Sequence, residues 1–115
     1  MKKGYHLGSC STCKRIIQSV STQAIELQDI KKEPITSVQL EQMATLAGSY
    51  EALFSKRAQK YKEMGLKGQA LTEQDYQQLI LQHYTFLKRP VFILGSDIYV
   101  GNSKKVVEQL QSTLK

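Results

Sequence analysis

The first 30 residues constrain the fold most strongly, because they predict a strand and then a helix around two cysteines. Residues 5–7 predict a short strand that Gly8 and Ser9 interrupt. The helix that follows has apolar residues at the i, i+3, i+4 and i+7 spacing of one buried face, namely Cys13, Ile16, Ile17 and Val20. Cys13 is therefore expected to face the core, whereas Cys10 precedes the first helical turn and is expected to be accessible.

A second strand is predicted at residues 24–30, where apolar and polar side chains alternate. The alternation predicts that Ile25 and Leu27 are buried and that Glu26 and Gln28 are exposed. Two strands joined by a crossover helix form a parallel pair, so an α/β fold is expected.

The middle of the chain predicts only helices. Two of them begin with capping boxes, in which a threonine is followed three residues later by a side chain that reaches back: Thr36 with Gln39, and Thr72 with Asp75. Gly48 is expected to end the first of these helices, and residues 49–64 predict one or two further short helices.

The last part of the chain predicts a β-hairpin followed by a helix. Strand patterns flank a turn at residues 95–97, and Ser103 or Asn102 is positioned to cap the final helix. The whole order predicts a single domain, residues 1–115, with a thioredoxin-like mixed four-stranded sheet and flanking helices. Residues 1–30 and 88–115 are expected to form the sheet core, and residues 31–87 a helical insertion.

Composition and charge limit the cellular compartment and the kinds of partner that are expected for this protein. No apolar run approaches the roughly 20 residues of a membrane span, and no secretion signal follows the first lysines, so a cytoplasmic protein without a membrane is expected. The net charge of +6 comes from 16 basic and 10 acidic residues spread along the chain, which does not favour direct binding of nucleic acid. We expect a monomer, and in a reducing compartment a permanent structural disulfide is not expected.

The Cys10 and Cys13 pair is predicted to be redox-active. A helix start offers unpaired N–H groups and a positive dipole end that stabilise a thiolate, so Cys10 is the predicted nucleophile. Cys13, one turn later, is placed to resolve a mixed disulfide, although an apolar helix face also accepts cysteine as a core residue. Because the chain has only two cysteines and two histidines, no metal site is expected.

Four other residues are candidates for the site, each with a structural alternative. Pro90 is either an edge proline or a cis proline that shapes a pocket wall. Arg89 could hold an oxyanion or a carboxylate, or be a surface arginine. His6 could act electrostatically near Cys10 or be a packing residue, and Arg57 is one of several basic residues.

Three stretches together resemble the arsenate reductase (ArsC) family and its Spx branch, over nearly the full chain. They are "YHLGSCSTCKRI", "LFSKRAQKYKEMGL" and "LKRPVFILGSDIYVGNSKKVVEQL". The resemblance implies a thioredoxin-like fold with a helical insertion, and it implies that Pro90 is the cis proline of the family.

The resemblance also implies a chemistry. In arsenate reductases the first cysteine attacks arsenate, glutathione and glutaredoxin complete the reduction, and three arginines bind the oxyanion. Cys10, His6 and Arg89 match the nucleophile, the histidine of the opening motif and the arginine before the proline. The positions of the other two arginines hold Ser55 and Asn102.

The Spx branch gives an alternative. Spx proteins have a second cysteine where Cys13 stands and bind the C-terminal domain of the RNA polymerase alpha subunit, and Arg57 matches the arginine of their "STR" segment. The leading prediction is a thiol-dependent oxidoreductase with a small anionic or thiol substrate, no bound cofactor, and glutathione, glutaredoxin or thioredoxin as electron donor. The alternative is a redox-sensitive regulator that binds the polymerase alpha subunit.

Overall fold

The computed structural model describes residues 2–20 and 22–114. The chain forms two units, one made of Met1–Pro34 with Arg89–Lys115 and the other made of Ile35–Lys88. The elements, in chain order, are β1 (Lys2–His6), α1 (Ser11–Gln18), β2 (Glu26–Asp29), α2 (Ser37–Ala47), α3 (Gln59–Glu63), α4 (Glu73–Gln82), β3 (Val91–Leu94), β4 (Asp97–Val100) and α5 (Lys104–Thr113). Short 3₁₀ turns lie at Glu51–Leu53 and Tyr84–Phe86.

The first unit contains the mixed four-stranded sheet that the sequence predicts. Its strand order is β2-β1-β3-β4, with β1 parallel to β2 and antiparallel to β3, and β3 antiparallel to β4. The core combines side chains of α1, β3, α5 and the residue just before β2, namely Ile16, Phe92, Leu110 and Ile25. This thioredoxin-like fold confirms the predicted fold class, and it places the start of α1 at the end of β1.

The first strand is longer at its beginning than the sequence predicts. The prediction of residues 5–7 relied on apolar side chains, whereas β1 begins at Lys2 and ends at His6. Lys3 is buried in the strand because its ammonium group lies 3.3 Å from a Glu26 carboxylate oxygen and 5.5 Å from the centre of the Tyr5 ring. Pairing of Lys2 and Lys3 with β3 extends β1 toward its start, and the ion pair with Glu26, which hydropathy does not indicate, accommodates the buried Lys3 side chain.

Two predicted exposures in the second strand are wrong. Gln28 is buried, with 3% of its surface exposed, and Leu27 is 38% exposed. The Gln28 side chain tolerates burial because its amide nitrogen donates to the Glu33 carbonyl oxygen, 2.9 Å away. Leu27 remains partly exposed because β2 is an edge strand of the sheet.

The second unit follows its local signals closely. Both capping boxes are formed, with Thr36 and Thr72 each accepting from the N–H three residues on. Gly48 ends α2 with a left-handed φ of 99°, and residues 49–64 contain a 3₁₀ turn and the short helix α3, as predicted. Phe54 lies at the centre of an aromatic cluster with Tyr61, Tyr76 and Phe86.

The start of the C-terminal helix α5 shows which of the two predicted residues, Asn102 or Ser103, is its N-cap. The Ser103 hydroxyl oxygen accepts from the Val106 N–H at 3.3 Å, so Ser103 rather than Asn102 caps α5. Of the helices in the part of the chain that the structure describes, none has the length and apolar character needed to cross a membrane.

Candidate active site

A tight turn after β1 places Cys10 at the start of α1. The Cys10 N–H donates to the Leu7 carbonyl oxygen at 3.0 Å, closing the turn that contains Gly8 and Ser9. Cys10 is the N-cap residue of α1 and has extended backbone angles, and its carbonyl oxygen accepts from the Lys14 N–H at 3.1 Å. The Cys10 side chain is half-buried, so Cys10 is the more accessible of the two cysteines, as the sequence predicts.

The Cys13 thiol lies one helical turn further along and is completely buried. Both cysteines are free thiols, and the Cys13 S–H donates to the Cys10 sulfur. The Leu7 N–H donates to the Cys13 sulfur, so the turn before α1 contacts both cysteines. The predicted difference in exposure between the two thiols is therefore present, and the sulfurs are hydrogen-bonded to each other.

The Cys10 thiol has a lowered pKa. Partial burial opposes its ionisation and is the largest single effect, but it is outweighed by the Cys13 N–H and S–H, the Thr12 N–H and the positive charge of Arg89. The N–H groups of Thr12 and Cys13 in the first turn of α1 thus favour the thiolate form of Cys10.

The Cys13 thiol shifts in the opposite direction. The pKa of Cys13 is raised to about 11, mainly by burial and also by the hydrogen bond and negative charge of Cys10, while the Leu7 N–H and the charge of Arg89 oppose this rise. A buried thiol that donates its proton to a neighbouring sulfur stabilises that neighbour as an anion. Cys10 is therefore the cysteine that is favoured as an anion, and Cys13 is the proton donor. The three-residue spacing of the two cysteines does not by itself assign these roles.

Arg89 and Pro90 belong to the same unit as the cysteines. The peptide bond between them is cis, as the family resemblance implies, and Pro90 is buried. The Pro90 carbonyl oxygen accepts from the Gly101 N–H at 2.9 Å, which attaches this segment to the end of β4. The charge of Arg89 acts on both thiols, so the structure brings Arg89 close to the pair.

His6 lies at the end of β1 and faces a residue that the sequence analysis missed. In the parallel pairing of β1 with β2, His6 is the register partner of Asp29, and its charge acts on the Asp29 carboxylate. Burial opposes ionisation of Asp29, yet its pKa is lowered, because the N–H groups of Lys31 and Gly8 donate to it. The sequence feature that could have indicated this contact is an acidic residue, Asp29, near the end of the second predicted strand, together with Gly8 in the turn after the first predicted strand.

Arg57 and His83 lie in the second unit. Arg57 is exposed, between the 3₁₀ turn at Glu51–Leu53 and α3, and its role in anion binding stays a prediction. The His83 ring packs edge-on against Phe86, with ring centres 5.7 Å apart. Within residues 2–20 and 22–114, no group of three or more histidine, cysteine or acidic side chains is arranged to hold a metal ion.

A half-buried thiol of lowered pKa and a fully buried thiol, both at the first helix of a thioredoxin-like sheet, define the general class of this protein, a thioredoxin-like protein with two neighbouring thiols. The family model of the ArsC family matches residues 5–110, so the chain belongs to the ArsC family.

Solved structures show the same fold over nearly the whole chain. An arsenate reductase from Vibrio cholerae superposes with a TM-score of 0.78 and 16% identity, covering 98% of this chain and 97% of that one. A protein from Staphylococcus aureus COL gives a TM-score of 0.74 at 24% identity, with coverages of 96% and 98%. An arsenate reductase (ArsC) related protein from Brucella melitensis gives 0.71 at 18%, with coverages of 94% and 92%. Comparison with curated proteins gives no significant match.

Proposed function

We propose that this protein is a thiol-dependent reductase in which Cys10 is the nucleophile and Cys13 the resolving thiol. The observation that carries the proposal is a half-buried and a fully buried cysteine at one helix start, hydrogen-bonded to each other, with the pKa of Cys10 lowered and that of Cys13 raised. A thiolate is the reactive form of cysteine, and a resolving thiol must be close to the adduct while staying protonated beforehand. Membership of the ArsC family supports the same assignment.

The chemistry of a disulfide substrate can be written with these two residues. The Cys10 thiolate attacks one substrate sulfur, forms a mixed disulfide and releases the other sulfur as a thiolate. The Cys13 sulfur then attacks the Cys10 sulfur, its proton passes to the departing thiol, and a Cys10–Cys13 disulfide forms. The substrate gains the two electrons that the cysteines lose. Glutathione, glutaredoxin or thioredoxin would return them in the next cycle.

An oxyanion such as arsenate would follow the same sequence. The Cys10 sulfur bonds to the arsenic atom as one oxygen leaves as water, and attack of Cys13 on the Cys10 sulfur releases arsenic as arsenite with the electron pair. Arg89 is the residue that would hold the anionic oxygens, because its charge already acts at the two sulfurs. His6 and Pro90, in the same unit as the cysteines, are further candidates for the anion-binding site, and Arg57 in the second unit is a candidate on the sequence alone.

A turnover assay tests the assignment. Purified protein is given arsenate with glutathione and glutaredoxin, and in parallel a low-molecular-weight disulfide with thioredoxin. Cys10→Ser should abolish turnover, and Cys13→Ser should accumulate a covalent adduct on Cys10 that intact-mass spectrometry detects. Arg89→Lys should raise KM for an anionic substrate more than it lowers kcat.

Ser11→Ala serves as a control, because Ser11 is an exposed residue of the same helical turn. Equal turnover in the parent protein, Cys10→Ser and Cys13→Ser would contradict the catalytic assignment. Turnover of the disulfide without turnover of arsenate would keep the thiol mechanism and exclude arsenate as substrate.

A second candidate function is a redox-controlled binding protein of the Spx type. It is favoured by the hydrogen bond between the two cysteines, since oxidation would join their sulfurs within the first turn of α1. The exposed side of α1, with Lys14, Arg15 and Gln18, would then present a changed surface. A pull-down with the C-terminal domain of the polymerase alpha subunit, under oxidising and reducing conditions, tests this function. Absence of binding in both conditions would exclude it.

A further inference from the structure

One carboxylate connects the two loops that follow β1 and β2. Asp29 is the last residue of β2 and the register partner of His6 at the end of β1. Its Oδ1 atom accepts from the Lys31 N–H at 3.0 Å, and the Gly8 N–H also donates to its carboxylate. The Asp29 side chain therefore attaches the turn before Cys10 to the loop after β2.

The contact between Asp29 and Gly8 is close. A Cβ atom built on Gly8 would collide with the Asp29 Oδ2 atom, so the carboxylate occupies the space that any other residue at position 8 would need. Gly8 is the first central residue of the turn that the hydrogen bond from Cys10 to Leu7 closes. Asp29 is thus packed against the turn that sets the position of the nucleophile.

The strand ends support the same attachment. The Ile30 N–H donates to the His6 carbonyl oxygen at 2.9 Å, and the Asp29 carbonyl oxygen accepts from the N–H groups of Lys32 and Glu33. The charges that face the Asp29 carboxylate are those of His6 and Lys32, and the groups that act on the Cys10 thiol include Arg89 and Cys13.

We propose that Asp29 is a positioning residue, which holds the turn around Gly8 so that the Cys10 sulfur meets the N–H groups at the start of α1. This inference rests on the proposed function only in taking Cys10 as the nucleophile. Asp29 acts through the backbone of the turn and has no role in bond making or breaking.

Two effects of removing Asp29 have opposite signs, and this makes the proposal testable. If Asp29 positions the turn, its loss moves the Cys10 sulfur away from the N–H groups, and the pKa of Cys10 rises. If Asp29 were only a nearby negative charge, its loss would favour the thiolate, and the pKa of Cys10 would fall.

The experiment measures the rate of Cys10 alkylation by iodoacetamide as a function of pH on the folded full chain, with the modified peptide identified by mass spectrometry. Asp29→Ala should shift the rate profile to higher pH and slow alkylation at pH 7 by roughly three- to tenfold, because less thiolate is present. Asp29→Asn keeps one acceptor oxygen and should lie between Asp29→Ala and the parent protein. Gly8→Ala disturbs the contact between Gly8 and Asp29 by placing a methyl group where the carboxylate lies, and it should also shift the alkylation profile to higher pH.

Glu73→Ala is the matched control. In the second unit, the Glu73 carboxylate accepts from the N–H groups of Tyr50 and Glu51 at 2.6 and 3.1 Å, so this variant loses a comparable pair of hydrogen bonds. Its alkylation profile should equal that of the parent protein. The proposal is overturned if Asp29→Ala leaves the profile unchanged or moves it to lower pH, or if Glu73→Ala moves it equally.

The design separates this inference from the proposed function. If the parent protein itself alkylates at the rate of an ordinary thiol, the assignment of Cys10 as an activated nucleophile fails. If Cys10 is reactive in the parent protein and equally reactive in Asp29→Ala, only the role of Asp29 fails.

Discussion

Asp29 and Glu73 make the same type of contact in the two units, but their surroundings differ. Each carboxylate accepts two backbone N–H groups of a loop. Asp29 is bonded to the turn that carries Cys10, the proposed nucleophile, whereas Glu73 is bonded to a 3₁₀ turn whose neighbour, Phe54, belongs to an aromatic cluster. Identical hydrogen bonding can therefore serve the chemistry of a thiol in one unit and the stability of packing in the other.

The two units also differ in what holds them together near these loops. The turn before α1 is fixed by hydrogen bonds of backbone N–H groups, to the Leu7 carbonyl oxygen and to the Asp29 carboxylate. The second unit is fixed by stacked and tilted aromatic rings, with Phe54 and Phe86 almost fully buried. We therefore expect substitutions in the aromatic cluster to change stability, and substitutions in the turn to change thiol reactivity.

The largest expected effect is the loss of stability in Phe86→Ala. Phe86 is completely buried and its ring stacks on Phe54 with centres 4.9 Å apart. Truncation of a buried phenylalanine leaves a cavity and costs about 3–5 kcal/mol of unfolding free energy. Urea denaturation monitored by circular dichroism measures this loss. The alkylation rate of Cys10 in the folded variant should stay unchanged, because Thr12, Cys13 and Arg89 are retained.

Phe86→Leu is the control for this prediction, because it removes the aromatic stacking while keeping much of the apolar volume. Its loss of stability should be clearly smaller than that of Phe86→Ala. A change in Cys10 reactivity that grows with the loss of stability would contradict the expectation that the aromatic cluster affects stability and not thiol reactivity.

The next effect concerns stability at alkaline pH and arises from Cys13. Because the pKa of Cys13 is raised to about 11, the folded protein keeps a proton that the unfolded chain releases near the ordinary thiol pKa. The contribution of this proton to the unfolding free energy is therefore fully present below the ordinary thiol pKa. It is lost as pH rises toward 11, and the loss is at most about 3 kcal/mol. Denaturant midpoints between pH 8 and 11 should fall less steeply in Cys13→Ser than in the parent protein.

Tyr5 and Tyr76 do not disturb this comparison. Burial also raises the pKa of both tyrosines, with smaller contributions from Glu26 and Glu51, so they add to the alkaline loss of stability in the parent protein and in the variant alike. Equal slopes in the two proteins would contradict the assignment of a protonated, buried thiol to Cys13. The lowered pKa of Cys10 has the opposite sign and adds stability as pH rises toward the ordinary thiol value.

Sequence reasoning succeeded where a local pattern determines the structure. The capping boxes at Thr36 and Thr72 each involve residues only three positions apart, and both are formed. The difference in exposure between Cys10 and Cys13 also follows from a single helix with one buried face. These features need no information about distant parts of the chain.

Sequence reasoning failed where a polar group is satisfied by a partner that the local pattern does not reveal. Gln28 is buried because its amide reaches the Glu33 carbonyl beyond the strand, and Lys3 because Glu26 stands beside it on the neighbouring strand. Asp29 was missed for a related reason, since its contact with Gly8 depends on the parallel register of β1 and β2. Alternation of hydropathy records the average preference of a side chain and cannot identify such partners.

The smallest predicted effect compares the two capping boxes of the second unit. Thr36→Ala and Thr72→Ala each remove a hydroxyl that accepts a backbone N–H, at a cost of about 1 kcal/mol of unfolding free energy. Thr72 directly precedes Glu73, so fraying at the start of α4 also weakens the contacts of Glu73 with Tyr50 and Glu51. Thr72→Ala should therefore lose more stability than Thr36→Ala in urea denaturation, and the double variant Thr72→Ala/Glu73→Ala should lose less than the sum of its single variants. Additive losses would show that the cap and the carboxylate act independently, and that Glu73 holds its loop without help from the helix cap.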